Sequence, residues 1–127
     1  MRFLFLLLFA SPVMANEISV PSGQPVTFIE RITDPDGPSG LTLRYRFVAP
    51  EISKEGGSVD FDQAVADIDA LCATFVLADA GIASMNPAQV VITLMDQNVQ
   101  FGVATPDATQ YFEAYRLEND TCVWEGF

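Results

Sequence analysis

A chain of 127 residues with 17 acidic and 6 basic side chains, formal net charge −11, repels phosphate backbones and anionic lipid surfaces, so nucleic acid is not an expected partner. It contains no histidine, which removes Ser-His-Asp and Cys-His catalysis and the commonest transition-metal ligand. No glycine-rich nucleotide-binding pattern occurs either, so no cofactor is expected and carboxylates are the main catalytic chemistry left.

Residues 1–15 read as a signal peptide. Arg2 gives a positive start, residues 3–10 are an unbroken apolar run, and Val13, Met14 and Ala15 place a small residue where a signal peptidase cuts. That run falls well short of the roughly 20 apolar residues a membrane span needs. Cleavage after Ala15 is expected to leave residues 16–127 as a single soluble periplasmic domain that does not touch the membrane. No cysteine follows the cut to carry a lipid, and loss of Arg2 makes the remainder one charge more negative. Export places Cys72 and Cys122 in an oxidising compartment, where one structural disulfide is expected. Redox pairs favour Cys-x-x-Cys spacing, and oxidised cysteines supply neither a nucleophile nor a zinc site.

After the polar and apolar alternation of 17–20, Pro21, Ser22 and Gly23 turn the chain into 25–32, whose β-branched and aromatic residues predict a strand. Residues 33–40 hold two prolines and two glycines and predict an irregular loop. Asp34, Pro35, Asp36 and Gly37 resemble the opening of a calcium loop. Tyr45, however, stands where the twelfth-position glutamate belongs, so a turn is expected and no metal. Residues 41–48 alternate, with Leu41, Leu43, Tyr45 and Phe47 on one face and Thr42, Arg44 and Arg46 on the other. A hairpin across the loop would bring Glu30 near Arg44. Arg44 and Arg46 are the only basic cluster, and with Tyr45 beside them they form the candidate ligand-binding set. Planar guanidinium groups bind carboxylates bidentately, and the ring offers a platform. The competing reading leaves the arginines on an outer strand face, paired with acids.

Asp60 followed by Gln63 has the form of a capping box, Asp62 suits the positive end of a helix dipole, and Gly81 suits a C-terminal cap. A helix is predicted over 60–80, with Phe61, Val65, Ile68, Cys72, Phe75 and Val76 as its apolar stripe. Asp62 and Asp69 share the other side about 10 Å apart by the helical rise, a spacing seen in inverting glycosidases. They face water, which favours a solvated helix side over catalysis.

Residues 89–95 and 99–103 read as a hairpin turning at Asp96, Gln97 and Asn98, while Thr105 and Pro106 look like a helix start. Residues 110–117 fit helix or strand. Strand is preferred, because Glu118, Asn119 and Asp120 make a turn into a partner at 121–124. Tyr111, Phe112, Tyr115, Trp124 and Phe127 suit core filling. Strands, one helix and strands again define an α+β fold. It is expected to be an antiparallel sheet of about six to seven strands packed on one central helix, with the disulfide running from helix to final strand.

The stretches VPSGQPV (20–26), LRYRFVAP (43–50) and TCVWE (121–125) are similar to a family of small exported alphaproteobacterial proteins classed as a domain of unknown function. The resemblance spans the chain after the leader and implies no activity. Some members carry an acetolactate synthase label, which a chain this short, without a thiamine-diphosphate motif, does not support. The expected function is a periplasmic binding or protein-interaction module without catalysis, its partner a cationic ligand or a basic envelope protein. A carboxylate-dependent hydrolase or lyase using Arg44 or Arg46 is the alternative, and a secreted enzyme inhibitor the third reading.

Overall fold

The computed structural model describes residues 18–126, so the leader at 1–15 and Phe127 lie outside it. Five strands make one sheet in the order β1-β2-β3-β4-β5. They are β1 (Thr27–Gly37), β2 (Gly40–Val48), β3 (Gln89–Met95), β4 (Gln110–Glu118) and β5 (Thr121–Glu125). Three neighbouring pairs are antiparallel, but β2 and β3 run parallel. The sheet is therefore mixed and five-stranded, not antiparallel with six or seven strands. A parallel pair needs a long crossover, and the helical segment between β2 and β3 provides it.

The count falls because residues 18–20 and 99–103 form no strand, and β1 also runs further than read. Residues 33–40 are mostly strand: β1 continues to Gly37 and a two-residue turn at Pro38 and Ser39 leads into β2. Pro35 is tolerated because β1 is an edge strand, where a missing N–H breaks no ladder. A register shift between Asp34 and Gly37 absorbs the irregularity, and Gly40 turns with φ +115°. Residues 99–103 form no strand, since Gly102 takes φ +81° and Val103 N–H donates to the Gln100 carbonyl in a turn. The antiparallel partner of β3 is instead β4, with Met95 opposite Gln110. A long loop joins them, closed where Asp96 N–H donates to the Thr109 carbonyl and Thr109 N–H to the Asp96 carboxylate. Thr105 and Pro106 lie in that loop rather than opening a helix.

The central helix α1 (Phe61–Leu71) starts at the predicted capping box. The Asp60 carboxylate accepts from Gln63 N–H, and the Gln63 side chain accepts from Asp60 N–H. It ends earlier than residue 80. A π-helical turn, Cys72–Val76, follows, marked by the five-residue hydrogen bond from Leu77 N–H to the Cys72 carbonyl. Gly81 opens the short α2 (Ile82–Met85) instead of capping α1. The buried positions of α1 are Ala64, Asp67, Ile68 and Leu71, while Phe61 is half-exposed and stacks edge-on against Tyr111.

One face of the sheet meets this helix. Leu43, Tyr45 and Phe47 of β2, Val90, Ile92 and Leu94 of β3, and Tyr115 of β4 pack against Ile68, Leu71, Cys72 and Val76. Phe28 and Phe75 close the β1 end, with ring centroids 4.8 Å apart. The Cys72–Cys122 disulfide joins the helix end to β5 across a sequence separation of 50. Of the aromatic set assigned to the core, Tyr115 is buried, whereas Phe112 and Trp124 are exposed. Among the described residues no helix is long and apolar enough to cross a membrane.

Candidate functional site

The alternation of β2 that sends Tyr45 toward the helix sends Arg44 and Arg46 to the opposite face of the sheet, which the loop after β3 covers in part. Tyr45 is fully buried, and its hydroxyl donates to the Asp79 carboxylate at 2.6 Å. Asp79 also receives Arg31 at 2.8 Å. Burial, and then the hydrogen bond to Asp79, pushes the Tyr45 hydroxyl well above its ordinary pKa. Tyr45 is therefore no partner of the two arginines. Its adjacency in sequence is what puts it on the other face.

On the arginine face Thr93 of β3 joins the arginines, with Gln110 and Phe112 of β4 beyond it. The loop between β3 and β4 passes over them and supplies Val99, Phe101 and Val103. Together these residues enclose a cavity of about 260 Å³. Phe101 covers both guanidinium groups, its ring centroid 5.7 Å from Cζ of Arg44 and 5.5 Å from Cζ of Arg46. Such placement attracts the cations to the ring face and partly desolvates them. Phe101, Val103 and Phe112 are 50%, 48% and 49% exposed, a cluster of apolar surface around one opening.

The two arginines have different occupations. Arg46 is only 3% exposed and fully engaged. Its Nη1 donates to Glu30 at 2.5 Å, and its Nη2 to the Val99 carbonyl at 2.5 Å and to the Met95 sulfur at 3.1 Å. The bulge between Phe28 and Glu30 sets Glu30 opposite Arg46, so the cross-strand ion pair is Glu30 with Arg46 rather than with Arg44. Arg44 reaches only Asp34, from Nη2 at a long 3.4 Å, and its buried Nε has no acceptor among the described residues. Buried polar groups normally have partners, so this guanidinium is under-satisfied.

Larger concavities are chemically plainer. One of about 650 Å³ between the 53–55 and 106–109 loops mixes Lys54 with Glu55, Asp96 and Asp107, and one of about 410 Å³ beside Ile18 and Gln24 has no charged lining. The two helix carboxylates considered for catalysis do not share a cleft with the arginines. Asp69 accepts a hydrogen bond from the Tyr115 hydroxyl, and Asp62 stands in the first turn of α1. Sequence reasoning missed Asp67, which is fully buried and accepts from Ser22 N–H at 2.9 Å, Ser22 Oγ at 2.6 Å and Gln24 Nε2 at 2.7 Å. Its position three after Ala64 and four before Leu71 was the available signal.

A disulfide-stapled α+β protein with an arginine-floored pocket on the sheet face away from the helix is the class these features define. Residues 6–127 match the family of unknown function DUF6497, and the chain belongs to that family. No curated protein and no solved structure matches it.

Proposed function

We propose that the protein is an exported, non-catalytic binding module that holds an anionic ligand in the pocket over Arg44. One observation carries the reading. In a chain of 17 acidic and 6 basic residues, this concavity is lined by two arginines and by no acid. Each arginine has an acid partner outside the lining, Arg46 with Glu30 and Arg44 at a long 3.4 Å with Asp34, so the pull on an anion comes from the donors that Arg44 leaves unused. The remaining polar lining donates hydrogen bonds, whereas no paired carboxylates stand there to move a proton. Periplasmic residence is supported by the apolar segment at 3–10 and by the disulfide, which an oxidising compartment sustains.

A thermal-shift screen of small anions and cations tests the binding reading. Anions are expected to raise the melting temperature of the wild type and to leave Arg44→Glu unmoved. Stabilisation by cations alone contradicts it. A second reading, docking of a basic protein at Trp124, rests on that side chain's 61% exposure and on Asp69 and Asp120 around the same hollow.

A further inference from the structure

We infer that the ligand is a small monocarboxylate with an apolar, ring-sized body, its carboxylate held at Arg44 and its body against Phe101, Val103 and Phe112. This rests on the anion reading of the pocket and narrows it in three respects.

Charge sets the first limit. Arg46 is balanced by Glu30 and tied to the Val99 carbonyl, so it fixes the loop in place and brings little free charge. Arg44 supplies the one cation with unused donor capacity, since Asp34 approaches a single nitrogen at 3.4 Å. A single guanidinium with unused donors matches a single anionic group. A phosphate dianion would add a second negative charge to a chain already at −11, with no second guanidinium with unused donors facing it. A planar carboxylate also suits a guanidinium edge, where two parallel hydrogen bonds form. Thr93, which lies next to Arg46 in the register, and Gln110 line the same cavity and carry further donors.

Apolar surface sets the second. Three half-exposed side chains rim the opening, and covering them releases water from both sides of the contact. A bare inorganic anion or acetate would leave that surface wet. Volume sets the third, because about 260 Å³ lies just under the ~300–1,000 Å³ of sites for drug-sized ligands. The cavity therefore admits a body of about one ring. The same chemistry is offered by a free aryl or alkyl acid and by the C-terminal residue of a peptide.

Calorimetric titration of the purified protein separates these possibilities. The probes are 3-phenylpropionate, 4-methylpentanoate, acetate, inorganic phosphate, the two apolar acids as primary amides, and a tripeptide ending in phenylalanine with a free or amidated C-terminus. At least one apolar acid or the free-acid peptide is expected to saturate a single site. Amidation should weaken it about tenfold to a hundredfold, the range for losing a charged hydrogen-bond partner. Acetate and phosphate should be weaker still. Arg44→Gln should cause a similar loss while keeping the wild-type melting temperature. Should that variant not fold, Phe101→Ala at an exposed position is expected to weaken the apolar acids and spare acetate. Which source binds more tightly, free acid or peptide terminus, identifies the origin of the ligand. Equal binding of acid and amide overturns the inference. Tighter binding of phosphate overturns it while the anion reading stands, and no heat with any anion ends both.

Discussion

Asp67 shows how one residue can matter for a reason its chemistry hides. A buried carboxylate is rare because desolvating its charge is costly unless it is paired or well hydrogen-bonded. Three donors from Ser22 and Gln24 meet that need and tie residues 22–24 to the middle of α1. Asp67→Ala would strand those donors and should lower unfolding free energy by about 3 kcal/mol, whereas exposed Asp62→Ala should change it by about 0.5 kcal/mol or less. Urea denaturation of the two variants checks the contrast. Reading the helix by its apolar residues alone conceals Asp67, because a polar residue in the buried phase counts against the pattern instead of marking a contact. The tyrosines make a second residue-scale prediction. Burial first, and then the carboxylates of Asp79 and Asp69, raise the pKa of Tyr45 and Tyr115 above the ordinary value of 10.0. Both hydroxyls keep their protons longer in the folded chain than in the unfolded one. Their contribution to stability is therefore fully present below about pH 10 and lost as pH rises beyond it. Denaturation midpoints taken from pH 8 to 11.5 should stay level and then fall, more steeply in wild type than in Tyr45→Phe.

At the scale of elements, local signals were legible where the chain itself supplies both partners. The capping box at Asp60 and Gln63 needs only four consecutive residues, and both its hydrogen bonds form as read. The end of α1 depends on packing instead. The π-helical turn at Cys72–Val76 changes the helical phase, and the segment then presents Cys72, Val76 and part of Phe75 to the sheet. Nothing in the 3.6-residue period announces that change. Pro35 and Gly37 signal a loop in the sequence, and only the place of β1 at the sheet edge makes them compatible with pairing. The disulfide links two elements that are distant in sequence, from the end of the helix to β5. For a separation of 50 residues the chain-entropy model gives about 4 kcal/mol, an upper figure. Cys72→Ala with Cys122→Ala together should lose up to that amount in denaturant unfolding. Wild type under reducing conditions should match the double variant, and an unchanged midpoint in both would mean the bridge adds nothing.

For the molecule as a whole, the acid surplus sets a repulsive field for polyanions but says nothing of where a guanidinium keeps donors unused. Arg44 and Arg46 stood out in the sequence as a pair. What the sequence could not show is that Glu30 takes one of them through a bulge and leaves the other under-satisfied. Nor could it show the apolar rim. Phe101 and Val103 read as strand residues, and they become a pocket wall only because β4 displaces them from the edge of β3. Whether that pocket binds a carboxylate is reported most directly by the Nε–H resonance of Arg44. In a nitrogen-15 NMR titration with 3-phenylpropionate, that signal is expected to shift downfield saturably, with backbone shifts confined to Thr93, residues 99–104 and 110–112. An unmoved Arg44 signal at saturating acid, or shifts gathered elsewhere on the surface, would contradict carboxylate binding there.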